Sequence, residues 1–178
     1  MFKSNIDIND NYFYMPFGPV VLKPEDVGLK YSLLLQKYVK VDNETKWRKR
    51  LLYNTGWGQP YGYERLPELR FDDLLKLAFL SDHKTTLLTI REEESNKYGA
   101  IAIIMEKHIS ELIRFLAENI NNDDLWENHL YKKNLKLFCF DQKYANGNGG
   151  IGFRSYEEIL NNYPEWKSIS QTVKELIY

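Results

Sequence analysis

The segment TTLLTIREEESNKYGAIAIIM, Thr85 to Met105, holds two short apolar runs, TTLLTI (85–90) and AIAIIM (100–105), whose reading decides the fold. Both are rich in β-branched residues, and both are short enough that periodicity alone fits a strand or a buried helix. Read as strands, they make a hairpin turned at Ser95-Asn96-Lys97. Read as helices, they turn residues 71–120 into successive antiparallel helix pairs. The expected class is mainly α with minor β, a single compact domain over residues 1–178 built from packed helix pairs. The alternative is α+β, with antiparallel hairpins at 85–105 and 135–154.

The flanking sequence favours helix. Phe71, Leu74, Leu75, Ala78 and Phe79 recur at i, i+3, i+4, i+7 and i+8, with Asp72 and Asp73 in the first turn where the free N–H groups favour acids. Ile109, Leu112, Ile113, Leu116 and Ile120 repeat the pattern. Asn121-Asn122-Asp123-Asp124 ends that helix and can cap a short one holding Leu125, Trp126 and Leu130. Ser155 to Glu158 has capping-box spacing. Pro164 starts a last helix with Trp166, Ile169, Val173, Leu176 and Ile177 on one face.

Upstream, YFYMPFGPVVL (12–22) is aromatic and β-branched with Pro16 and Pro19 inside, and so reads as extended or edge-strand structure. Pro24-Glu25-Asp26 then opens a helix over 24–40 that carries Val27, Tyr31, Leu34, Leu35 and Tyr38. Asp42 or Asn43 caps a second helix through KWRKRLLY (46–53), and the loop GWGQPYGYERLP (56–67) ends it. LKLFCF (135–140) reads as a strand, with a Gly-rich loop after it and a return through Ile151–Arg154.

The stretch NKYGAIAIIMEKHISELIRFL (96–116) resembles a paired-helix unit of the HEAT-like kind found in small bacterial proteins. Some of those are immunity proteins, which bind and neutralise a cognate toxin. The resemblance implies packed helix pairs and a binding role. It rests on a hydrophobic pattern and carries no functional residue over.

Composition bounds the function. With 43 % hydrophobic and 28 % charged residues the chain is globular in character, and its aromatic share is high at 15 %. The N-terminal MFKSNIDINDNYFYM has no apolar run suited to a signal peptide, and the longest apolar run, Gly99 to Met105, is too short to span a bilayer. No membrane partner is expected. A single cysteine, Cys139, lies between Phe138 and Phe140 as a small core residue, which fits a reducing cytoplasm. The sequence pI of about 6.3 argues against a dedicated nucleic-acid binder.

Motif by motif, chemistry is hard to find. Gly147 to Gly152 satisfies G-x-G-x-x-G, but Asp141–Asn146 separate it from the preceding strand, so a loop fits better than a nucleotide site. His83, His108 and His129 are widely spaced and lack metal-ligand partners. Glu92-Glu93-Glu94 reads as a solvated run. No cofactor, metal or catalytic residue is assigned.

Two features stand out. Lys46-Trp47-Arg48-Lys49-Arg50 surrounds a Trp with cations suited to anions or interfaces, and the Gly-rich loop after it displays Trp57, Gln59, Tyr61 and Tyr63. Trp, Tyr and Arg dominate binding hot spots because they offer large contact area for few rotatable bonds. The leading expectation is therefore a non-enzymatic intracellular protein that binds and occludes another protein, such as a toxin or effector. Its contacts would come from Trp47, Arg48, Arg50, Trp57, Tyr61 and Tyr63. The alternatives are a nucleic-acid-associated protein using a basic 46–50 helix, and an enzyme whose site is assembled only in three dimensions.

Overall fold

Alternation, not helical period, governs the first third of the chain. In Lys46–Leu51 the residues Trp47, Lys49 and Leu51 fall on one side and Lys46, Arg48 and Arg50 on the other, which is the pleat of a strand. The structure is a computed structural model and describes residues 2–15, 21–51, 61–81, 92–136 and 156–177. Five strands form one antiparallel sheet: β1 (Phe13–Tyr14), β2 (Leu29–Ser32), β3 (Lys37–Lys40), β4 (Lys46–Leu51) and β5 (Tyr61–Arg65), in the order β1-β5-β4-β3-β2. Helices follow: α1 (Phe71–Leu80), α2 (Glu92–Lys107), α3 (Ile109–Asn119), α4 (Asp123–Glu127), α5 (His129–Leu135), α6 (Tyr156–Asn162) and α7 (Glu165–Ile177). The architecture is α+β.

The alternative expectation, α+β, thus fits, and mainly α with minor β is roughly compatible, but the sheet lies elsewhere than either reading put it. Residues 100–105 belong to α2, so they form no hairpin with 85–90, which lies outside the described residues. The helix expected over 24–40 is instead a 3-10 turn, Pro24–Val27, followed by the β2–β3 hairpin. Gly28 ends that turn at φ +67°, a left-handed conformation that L side chains resist. The helix expected over 46–53 is corrected to β4. Asn43 caps no helix; its side-chain oxygen accepts from the Thr45 N–H at 3.1 Å and the Thr45 hydroxyl at 2.7 Å, which shapes the β3–β4 turn. Tyr61–Arg65, expected in a loop, is β5. Segment 12–22 contributes an edge strand, as its prolines suggest. Leu135, expected to open a strand, closes α5, and the Gly-rich segment and Cys139 lie outside the described residues.

The remaining helices follow their stripes. In α1 Leu74, Leu75, Leu77, Ala78 and Phe79 are buried, and the Asp73 carboxylate reaches back to the Arg70 N–H at 3.2 Å. The stretch 96–116 forms the later part of α2 and most of α3, separated at His108. Asn122 and Asn128 cap α4 and α5 through their side-chain oxygens.

Two cores flank the sheet. Phe13 and Met15 join the larger one with α1, α2, α3, α5 and α7, whereas Tyr14 joins a smaller one with Leu22, Val27, Leu29, Trp47 and Tyr63. Neighbouring residues of one short strand therefore point into opposite cores, as the pleat requires. Among the described residues no helix is long and apolar enough to cross a membrane.

Candidate functional site

The register sets the two faces of the sheet. Trp47 stands opposite Arg65, Lys49 opposite Tyr63, and Leu51 opposite Tyr61, so these side chains share the face turned away from α2. On it the Trp47 ring stacks on Tyr14 at 4.7 Å, and its indole N–H donates to the Thr45 hydroxyl at 2.8 Å. Tyr38 bridges Tyr31 and Tyr63 edge-on, with centroids 5.1 Å and 5.0 Å apart. The Lys40 ammonium donates to the Tyr14 hydroxyl at 2.8 Å and to the Val27 carbonyl at 2.6 Å, pinning the 3-10 turn over this layer. Burial foremost pushes the Tyr63 phenol up to about 12, helped by Tyr38, Glu25 and Asp26.

The opposite face carries Arg48, Arg50 and Glu64. Glu64 is 2 % exposed and accepts from both guanidiniums: the Arg48 Nη2 contact is 2.6 Å and the Arg50 Nη1 contact 3.2 Å. Arg48 reaches on to Glu68 at 2.7 Å, Lys107 meets Glu68 at 3.3 Å, and Arg50 pairs with Glu106 of α2. The chain of charges fastens the sheet to the end of α2. Burial alone would lower the Arg48 pKa, yet its hydrogen bonds to Glu68 and Glu64 raise it. The Arg48 hydrogen bond, followed by Lys107, holds Glu68 below the usual carboxylate range despite burial.

The six expected contact residues are thus separated. Trp47 and Tyr63 are buried, Arg48 and Arg50 serve internal carboxylates, and Trp57 lies outside the described residues. Tyr61 is exposed, with the Lys49 ammonium 5.0 Å above its ring. What sequence reasoning passed over is the β2–β3 turn. Leu33 is 85 % and Leu34 92 % exposed, with Leu35 exposed beside them. The signal was the unbroken SLLLQK, three leucines in a row between polar residues, which a helical stripe distributed between core and surface.

The antiparallel order puts Leu33–Gln36, the end of β4 and the start of β5 at one end of the sheet, so Leu51, Tyr61 and the leucine turn emerge together. Exposed Lys37 directly follows the turn, and exposed Lys49 stands over Tyr61 on the other face. The arrangement suits recognition of a surface that is both apolar and anionic. Among the described residues no group of three or more His, Cys, Asp or Glu is placed to hold a metal ion. No protein-family model, curated protein or solved structure matches the chain.

Proposed function

We propose that the chain is a non-enzymatic binding protein that occludes another protein, in the manner of an immunity or inhibitor protein acting on a toxin or effector. One observation carries the reading. Of the eight large apolar side chains exposed among the described residues, three consecutive leucines, Leu33, Leu34 and Leu35, lie in the β2–β3 turn, and Tyr61 opens β5 at the same end of the sheet. Single exposed apolar residues are ordinary, whereas their concentration on one part of a surface marks an interaction site. The nucleic-acid reading is the weaker one, because Arg48 and Arg50 are committed to carboxylates and leave Lys46 and Lys49 of the basic run for phosphate contacts.

Site-specific photo-crosslinking in the native host tests the proposal. A photoreactive residue in place of Tyr31 or Tyr61 should give a covalent adduct with one protein of defined mass, and one in place of the exposed Glu118 of α3 should not. Addition of the purified chain should then suppress that protein's activity. No adduct at either tyrosine, or an adduct without suppression, would overturn the reading.

A further inference from the structure

Resting on the binding reading, we propose that the β2–β3 turn is the anchor of the interface and that it inserts into an apolar cleft of the partner protein whose rim carries carboxylates. Two observations support it. First, the turn is ordered before any partner arrives: the Ser32 hydroxyl accepts from the Leu35 N–H at 3.3 Å, and Gln36 closes the loop at φ +51°. Leucines held out by an ordered turn lose less conformational freedom on docking than the same residues on a mobile loop.

Second, the charge around the leucines has one sign. From Gly28 to Val41 the hairpin carries Lys30, Lys37 and Lys40 and no acid, in a chain whose formal net charge is −1. Lys40 is held by Tyr14 and Val27, which leaves exposed Lys37 directly after the turn and exposed Lys30 three residues before it, on the same face of the hairpin. Two copies meeting tip to tip would bring these lysines together, so the charge disfavours a second copy and favours carboxylates around an apolar cleft. Apolar anchors at the centre with charges at the rim is the usual division of labour in protein interfaces.

The test replaces Leu34 with a photoreactive residue, identifies the cross-linked protein, and titrates that purified protein against four forms of the chain: wild type, Leu33→Asp/Leu34→Asp, Leu33→Met/Leu34→Met and Lys30→Glu/Lys37→Glu. The aspartate pair should weaken binding roughly thirtyfold or more, and the methionine pair should retain most of it. The lysine reversal should weaken binding about tenfold, with the loss shrinking as salt is raised. Thermal denaturation should be the same for all four forms, because Leu33 and Leu34 are almost fully exposed and Lys30 and Lys37 are exposed.

Adducts at Tyr61 but none at Leu34 would overturn the anchor and leave the binding reading standing. Unchanged affinity of the aspartate pair would do the same. Sedimentation with phosphatidylglycerol vesicles that requires Leu33 and Leu34 would reassign the turn to a membrane surface. Concentration-dependent dimers lost in the aspartate pair would reassign it to a second copy.

Discussion

Phe13 packs its ring into the notch that Gly99 leaves on α2. A methyl group built at Gly99 would sit 2.8 Å from the Phe13 Cβ and closer still to its ring, a separation that ordinary carbon contacts do not reach. In an unobstructed helix Gly→Ala would stabilise by about 1 kcal/mol. Here Gly99→Ala must displace a fully buried ring or part β1 from α2, so the expected net effect is destabilisation by about 1–3 kcal/mol. The urea midpoint should fall at unchanged slope, and Phe13→Leu in the same background should recover part of the loss.

One turn before Gly99, Asn96 holds the same edge strand. Its side-chain oxygen accepts from the Tyr12 and Phe13 N–H groups at 2.8 Å and 3.1 Å, and its amide donates to the Asp10 carbonyl at 2.6 Å. Asn96→Ala leaves three backbone groups without that partner and should cost about 2–3 kcal/mol. Asn96→Asp keeps an acceptor but loses the donor. It should fall between wild type and Ala in equilibrium unfolding.

The helices were legible because their burial is periodic on its own terms: α1, α3 and α7 each bury one stripe, and no other period fits their sequences. The sheet was not legible, because one spacing serves two structures. Tyr31 and Tyr38 are seven residues apart, which is two helical turns, and they are also a cross-strand pair in a hairpin with a four-residue loop. Leu34 completes the same false stripe and is almost fully exposed. In β4 the alternation of Trp47 with Arg48 was hidden because Lys46, Arg48, Lys49 and Arg50 put cations on both faces around Trp47. The internal pairing of the basic run was hidden for a related reason: Arg48 and Arg50 find Glu64 on β5 and Arg50 finds Glu106 on α2, partners that sequence distance conceals.

Glu64 is the hub of that ion network. Glu64→Gln keeps shape and removes the charge that Arg48 and Arg50 share, leaving Arg50, 11 % exposed, with Glu106 alone. Breaking a buried pair from one side costs about 3–5 kcal/mol, and Arg48, 33 % exposed, can recover solvent, so about 2–3 kcal/mol is expected. Glu68→Gln should cost much less at neutral pH, because that carboxylate is largely solvated. Its effect belongs to the acid limb: with its folded pKa below the ordinary value, Glu68 contributes stability above the unfolded pKa that is lost as pH falls through the folded one. Denaturation of Glu68→Gln against wild type between neutral and acid pH should converge.

Alkaline pH should expose the sheet's smaller core. Tyr63 ionises near 12 in the folded chain against 10.0 when unperturbed, because the phenolate would sit in a buried layer beside Tyr38 and near Glu25 and Asp26. A folded pKa above the unfolded one means that the contribution is complete below pH 10. It is then lost as pH rises toward 12, since the unfolded chain releases a proton that the folded chain retains. Tyr131 acts in the same direction: burial against Phe79 and Trp126 raises its pKa, and its hydroxyl finds no partner among the described residues. Tyr63→Phe should therefore resemble wild type at neutral pH and decline less steeply above pH 10, with Tyr63→Phe/Tyr131→Phe the flattest of the series. Urea midpoints measured across that range check the slope, and ultraviolet titration of the native protein checks its cause. A phenol lost from the late-titrating class in Tyr63→Phe, without a flatter slope, would show that the unfolded chain also protects this tyrosine.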